Sequence, residues 1–353
     1  MEKKKKIRKT ITNLIIFILL IILTFSIVFQ GQDVSEIFNI IKNVKIEYIF
    51  IGIIAMCIYI MGETINIGRI LKELGEKSSF IRNIRYTLIG FFFSAITPAA
   101  SGGQPMEIYY MHKDNIKVAH STLALLLHLC SFQIVSLTFG ILSAIIHFDV
   151  LKSGLIYLFI LGIALNMSAL ALLIIGIFSK RLSAALVRGF VKLLKFFRIK
   201  KIEEKQEKLE RELASYQESA VYIKNHKLLM VKTLITTLIQ MLVYYSIPYW
   251  VYLAFGYSTE NIWTLLTLQA VLYATVSGIP LPGSVGASEG GFIGIFRNVF
   301  PQSMINSAMI LNRGISFYLF VLISAVVVIY STLKDKKETK LIEESKQETI
   351  ENE

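Results

Sequence analysis

Six stretches of the chain are apolar over a length near or above the roughly 20 residues that cross a bilayer. They lie at about 11–30, 46–67, 119–147, 154–178, 228–255 and 303–332. Two further apolar segments, about 84–113 and 262–300, are long but broken in the middle. The first break reads Ser94-Ala-Ile-Thr-Pro-Ala-Ala-Ser-Gly-Gly-Gln-Pro-Met-Glu107, and the second Ser277-Gly-Ile-Pro-Leu-Pro-Gly-Ser-Val-Gly-Ala-Ser-Glu-Gly-Gly291. Backbone can break at membrane depth only where protein or a wet cavity satisfies its N–H and C=O groups, because an unpaired group there costs several kcal/mol. Both segments are therefore predicted to enter the membrane and return. The fold class that follows is an all-α polytopic membrane protein with about six transmembrane helices and two re-entrant helical hairpins.

The order of these elements repeats. Residues 11–147 run span, span, hairpin (84–113), span. Residues 154–332 run in the same order from the opposite face, with their hairpin at 262–300. The halves form an inverted repeat whose two hairpin tips meet near the midplane, the plan of proteins that move cargo by alternating access. Pro98 precedes Gly102 by the same four residues as Pro282 precedes Gly286, a faint echo between the two breaks.

Charge orients this arrangement. The segments 1–10, 68–85, 112–117, 180–227 and 333–353 fall on one face and hold 31 of the 37 Lys and Arg residues. The opposite loops hold three, Lys42, Lys45 and Lys152. Basic residues stay in the cytoplasm, so both termini are expected there. The net charge of +12 is thereby explained by topology and needs no nucleic-acid partner. No small-residue cleavage site follows the basic run of residues 3–9, so 11–30 reads as a retained span rather than a signal peptide.

The insert 179–227 carries Leu182, Leu186, Phe190, Leu193 and Phe197 on one helical face, with Arg181, Arg188, Lys192 and Lys195 elsewhere. That suits an interfacial helix on anionic lipid. Its later part, 203–218, reads as a solvated charged helix, and the polar tail 333–353 as disordered. Hydrophobic residues make up 54% of the 353, and the mean hydropathy of +0.59 fits a membrane protein. Cys57 and Cys130 both lie within spans, where thiols act as small hydrophobes, so neither a disulfide nor a metal site is expected.

The breaks hold the candidate chemistry. Glu107 lies just past the first, on a half-helix that Pro105 can begin, and shares a helical face with Gln104. The N-terminus of that half-helix offers free N–H groups to an anion such as a lipid phosphate, and Ser101, Gly102 and Gly103 allow close backbone approach. Glu289 follows Ser288 and Gly286 at the mirror position. A carboxylate there must be protonated, paired or wet; Arg313 is its first candidate partner and Arg297 its second. The reading leaves open whether the Glu289–Arg313 pair is functional or locks the hairpin. Glu63 and Arg69 read as a snorkelling pair at the cytoplasmic interface. His120 and His128 lack converging acids or thiols, so no metal is assigned to them. Tyr244, Tyr245, Tyr249, Trp250 and Tyr252 read as an interfacial aromatic belt. No nucleophile–base pair, Walker loop or dinucleotide fingerprint is present, so no catalytic residue and no cofactor is assigned.

Two of these stretches, Thr97-Pro-Ala-Ala-Ser-Gly-Gly-Gln-Pro-Met-Glu-Ile-Tyr-Tyr110 and Leu281-Pro-Gly-Ser-Val-Gly-Ala-Ser-Glu-Gly-Gly-Phe292, resemble the flippase-like membrane-domain family. This family is related to the N-terminal half of bacterial lysylphosphatidylglycerol synthase/flippase, the multiple peptide resistance factor. The resemblance covers about residues 10–335. It implies a multi-pass protein of the bacterial cell membrane whose hairpins handle lipid headgroups. In bifunctional relatives that activity carries aminoacylated phosphatidylglycerol outward and repels cationic peptides. The synthases of this group also bear a soluble acyltransferase-like domain, whereas only about 20 polar residues follow the last span here, so their catalysis is not expected of this chain. The resulting expectation is a lipid flippase handling an anionic or aminoacylated phospholipid, with Ser101, Gly102, Gly103, Gln104, Glu107, Gly286, Ser288, Glu289 and Arg313 at the headgroup. With no ATP site, transport would be passive or ion-coupled, with Glu107 or Glu289 able to take a proton. Two alternatives stand beside it. One is a phosphatidylglycerol lysyltransferase, or the membrane half of a split synthase with a separate soluble partner. The other is an ion-coupled transporter of a small solute.

Overall fold

The computed structural model describes residues 41–152, 154–181, 183–185, 188–189, 192 and 202–334, together with Ser35 and Asn39. The expected first span at 11–30, the basic N-terminus and the tail beyond 334 lie outside the described residues. So do Leu182, Leu186, Phe190, Leu193 and Phe197, the apolar face expected of an interfacial helix.

Among the described residues every regular element is helical. Five helices are long and apolar enough to cross a bilayer: α1 (Ile46–Glu73), α4 (Val118–Ile146), α6 (Ile156–Phe178), α8 (Lys227–Ala254) and α11 (Ile305–Lys334). They correspond to the expected spans other than the first. Between them lie two helical hairpins, α2 (Phe80–Ala95) with α3 (Gly103–Lys113), and α9 (Ile262–Val276) with α10 (Ala287–Phe296). A short helix α5 (Phe148–Lys152) joins α4 to α6, and α7 (Ile202–Asn225) precedes α8. The protein is an all-α polytopic membrane protein.

Local sequence sets the ends of these elements. The side chain of Ser79 accepts a hydrogen bond from the Arg82 N–H at the start of α2 (3.3 Å), and that of Asn261 accepts from Thr264 N–H at the start of α9 (3.0 Å). Each thus satisfies one of the four donors a helix start leaves unpaired. At the base of the first hairpin, Asp114 accepts hydrogen bonds from both Arg85 and Tyr86, tying the end of α3 back to α2. Pro248 lacks an N–H, and α8 is interrupted at Ser246 just before it.

Each hairpin organises one half of the interior. Around the first, Ile67, Leu71, Tyr86, Ile89, Tyr110, Met111 and Leu123 form one core. Around the second, Met56, Ile247, Leu268, Phe292, Phe296 and Phe300 form another. The hairpins also cross over between halves. Phe92 and Ala95 of α2 pack on Phe317 and Val321 of α11, while α9 packs along α4, where Gly140 leaves room for Ala274. The two tips touch each other. A straight 16-residue helix rises about 24 Å, so α2 alone reaches well into a hydrocarbon layer about 30 Å thick.

Candidate functional site

The two hairpin tips share one backbone conformation. Thr97 and Leu281 are extended (φ −119°, ψ 143° and φ −105°, ψ 143°), and each precedes a proline. After the proline come two successive left-handed residues, Ala99 and Ala100 at φ 53° in the first tip and Gly283 and Ser284 at φ 57° and 49° in the second. The match then ends: ψ is −14° at Ser101 and 139° at Val285. The spacing echo between Pro98–Gly102 and Pro282–Gly286 thus corresponds to a turn built twice. Three of the four left-handed residues carry a Cβ, a conformation that costs roughly 1–2 kcal/mol per residue.

The acids beside the tips differ. Glu289 is 2% exposed and fully engaged. Its Oε1 accepts from Arg313 Nε (2.8 Å) and from the Tyr318 hydroxyl (3.0 Å), and its Oε2 accepts from the Gly286 N–H (2.6 Å). Arg313 also donates to the Gly283 carbonyl (3.1 Å) and lies over the Phe317 ring at 4.2 Å. A π-turn at Gly314–Tyr318 makes this possible. Residues five apart point about 140° away from each other on a regular α-helix, and the wider turn brings Arg313 and Tyr318 onto the same carboxylate. This ion pair closes the second tip against α11.

Glu107 is equally buried, at 2% exposure, but no donor among the described residues reaches its Oε2. Its carboxyl fills the place a side chain at Gly90 would take: a Cβ built there would lie 2.5 Å from Glu107 Cδ. Gly103 meets Ser94 and the Gly90 carbonyl just as closely, so glycine is what lets α2 and α3 touch. The Gly102 N–H is taken by the Thr97 hydroxyl (2.9 Å), which itself donates to the Phe93 carbonyl (2.6 Å).

Glu63 and the tyrosine stripe, read from sequence as interfacial, lie inside the bundle, and the two histidines of α4, read as lacking converging acids, each face one. Glu63 is not a snorkelling partner of Arg69. Arg69 donates to Asn66 and Thr236, both at 3.0 Å. Glu63 instead faces inward, with its Oε2 3.9 Å from Nε2 of His128. Six residues separate Glu63 from Arg69, which on a helix turns them to different sides. His128 is buried and lies 3.5 Å from the Asn66 amide, while His120 bonds Glu76 at 2.6 Å. Tyr244, Tyr245 and Tyr252 do not form an interfacial belt either. Tyr245 and Tyr252 are fully buried, and Tyr244 packs against Tyr59 and Tyr273 at 4.8 and 6.2 Å. The reason is that α8 runs along α1 in the centre of the bundle. Cys57 and Cys130 are free thiols.

A cavity of about 760 Å³ opens beside the first tip, bounded by α4, α6 and α7. Its deep end is lined by Ala99, Ala100 and Gln104 of the first tip and by Tyr273 and Ser277 of the second hairpin. Asn166 of α6 also lines it and donates to the Ser277 hydroxyl at 3.0 Å. Leu126, Leu129, Leu172 and Leu173 make its long walls. Glu212 and Tyr216 of α7 line the other end, where Glu212 also accepts from the Ala119 N–H (3.0 Å). Burial pushes the Tyr216 hydroxyl up to about 12, and it donates to the Gly176 carbonyl at 3.0 Å.

Comparison with known proteins gives this arrangement a family. Residues 11–324 match the family described as the lysylphosphatidylglycerol synthase TM region. The chain belongs to this family. It is also similar to a UPF0104 membrane protein from Archaeoglobus fulgidus, with 24% identity over 90% of this chain and 97% of that protein. A UPF0104 membrane protein from Pyrococcus horikoshii is 22% identical over 86% of this chain and 92% of its own length.

Of the residues that the lysylphosphatidylglycerol synthase TM-region resemblance suggests for a headgroup, Gln104 lines the cavity. Among the described residues that line it, Ser101, Gly102, Gly103, Glu107, Gly286, Ser288, Glu289 and Arg313 do not appear. Ser101 is exposed at the tip, and Ser288 is buried beside Glu289. Gln133, Asn166, Tyr273, Ser277 and Glu212 also belong to the polar lining, and sequence reasoning did not select them. Asn166 carried a readable signal, since it is a polar residue in the middle of an otherwise apolar span.

Proposed function

We propose that this protein moves a phospholipid across the membrane, with the headgroup travelling through the cavity between α4 and α6. The observation that carries the proposal is the lining of that cavity. Its walls are leucine-rich and its deep end presents Gln104, Gln133, Asn166 and Ser277 beside the meeting point of the two tips. An amphiphile needs both surfaces in one continuous space, and the volume lies in the range of small-molecule sites. The charge balance favours a headgroup that bears an amine. Glu212 lines the cavity and, among its described lining residues, there is no Lys or Arg. An anionic headgroup without an amine would enter with no counter-charge. An aminoacylated phosphatidylglycerol, the lipid in the family's description, satisfies this requirement.

The basic face, where α7 lies, is assigned to the cytoplasm, so the cavity would receive lipid from the inner leaflet. The two archaeal relatives are matched over nearly their whole length. In them the membrane region stands without a large appended domain, which supports transport as its own activity. The test is headgroup accessibility of labelled lysyl-phosphatidylglycerol in liposomes containing the purified protein. Wild type is expected to equilibrate the label faster than protein-free liposomes. Leu129→Trp, which narrows the cavity, is expected to slow the equilibration, while the outward-facing Ile141→Trp retains the wild-type rate. Equal rates in all samples would overturn the proposal.

A further inference from the structure

We propose that the deep end of the cavity is an uncharged binding site for hydroxyl groups, which takes the glycerol or sugar part of a lipid headgroup. The inference rests on the cavity being a lipid path and adds what its inner end selects. The site is built where α6 meets the second hairpin. Gly162 lets α6 and α9 close on each other, since a Cβ there would collide with the Ala274 and Thr275 carbonyl oxygens. One turn on, Asn166 is 7% exposed and lines the cavity. Its amide nitrogen donates to the Gly162 carbonyl (2.8 Å) and to the Ser277 hydroxyl (3.0 Å). A carbonyl can accept only from the nitrogen of an amide, so these bonds fix which way the side chain is turned. Both N–H groups are then used, and Oδ1 is the acceptor that Asn166 brings to the cavity, with no donor among the described residues. Ser277 accepts from Asn166 and keeps its own hydroxyl proton to give.

Gln104 and Gln133 line the same space half-buried, and neither amide has a partner among the described residues. Phe132 and Tyr273 add ring surface there, packed edge to face at 5.9 Å. Donors and acceptors thus stand together without charge. A phosphate group only accepts, so it would leave Asn166 Oδ1 unmet. An ammonium only donates, and it would enter a place that offers no carboxylate. A hydroxyl does both, and the C–H faces of a polyol suit the two rings.

The acid of the cavity stands elsewhere. Glu212 is the one charged group among the described lining residues, and it bonds the Ala119 N–H at the other end. At the rise of an α-helix, Ala119 and Gln133 lie about 21 Å apart along α4. The amine that Glu212 suits and the hydroxyls that the deep end suits are therefore read at separate places.

The experiment is native mass spectrometry of the full chain in detergent, with competing lipids of equal acyl chains. Phosphatidylglycerol is set against phosphatidylpropanol, which has the same phosphate and no hydroxyl. The expected result is a preference of roughly fivefold for phosphatidylglycerol, the worth of one net hydrogen bond, lost in Asn166→Leu and kept in Ile141→Trp. Gln104→Leu combined with Gln133→Leu breaks no bond among the described residues and should weaken the preference even if Asn166→Leu folds poorly. Equal binding of the two lipids by wild type would overturn the proposal, and so would an undiminished preference in these variants when folded. Displacement of phosphatidylglycerol by glucosyl diacylglycerol would extend the site to sugars, and its failure would assign the site to glycerol. A preference without movement of label in the liposomes would overturn transport and leave the site standing. Movement without a preference would overturn the site and leave transport standing.

Discussion

The two hairpin tips are built on the same turn and differ in what becomes of the acid beside it. In the second, Glu289 accepts three hydrogen bonds, one of them from Arg313, and the tip is tied to α11. In the first, Glu107 is buried to the same degree with one oxygen unpartnered among the described residues. The large cavity lies beside the first tip. A repeated scaffold has therefore been divided. One copy closes its acid into an ion pair, and the other leaves a carboxyl oxygen without a partner among the described residues. A buried polar group without a partner calls for an explanation that a satisfied one does not.

This contrast makes predictions of graded size. The largest concerns the ion pair. Arg313→Ala strands Glu289 in the interior, and breaking a buried pair on one side costs about 3–5 kcal/mol. Thermal unfolding in detergent should show it severely destabilised, whereas Glu107→Gln should unfold near the wild-type temperature. Similar losses in both would erase the distinction between the tips. Next, Gly90→Ala pushes a methyl group into the space held by the Glu107 carboxyl and should cost about 1–3 kcal/mol, as other overpacked sites do. Gly283→Ala adds a Cβ at a left-handed residue, where it would collide with the tip of the Phe317 ring. A loss of about 2 kcal/mol is expected from backbone and crowding together. The smallest effect is at the matching position of the first tip. Ala99→Gly relieves the same backbone strain where the side chain is exposed, so stability should change by less than about 1 kcal/mol. If Ala99→Gly and Gly283→Ala shift stability equally, the tips are equally packed and the comparison fails.

Much of this was legible from hydropathy and from two breaks in it. Five spans, both hairpins and the Glu289–Arg313 pair follow from features local in sequence or from the rule that a buried charge needs a partner. The repeated turn was visible as the spacing of Pro98 to Gly102 and Pro282 to Gly286. The cavity was not legible, because its lining comes from segments as far apart as Ala99 and Ser277, brought together only by helix packing. Glu63 was misplaced for a related reason. Its depth depends on which side of α1 meets α8, and the apolar residues of α1 run all around that helix. Tyr244 and Tyr245 were read as a belt because a tyrosine stripe at a membrane boundary and one buried between helices have the same sequence.

The most direct test of the account is photo-crosslinking with a phospholipid that carries its reactive group on an amine-bearing headgroup. Cysteine-linked acceptors would be placed at Gln104, in the cavity, and at Ile141, exposed on the outer side of α4. The account predicts labelling at Gln104, competed by unlabelled lipid and reduced by Leu129→Trp, with little at Ile141, which lies outside the cavity. Absence of labelling at Gln104, or labelling there that Leu129→Trp leaves unchanged, would contradict a headgroup path through this cavity.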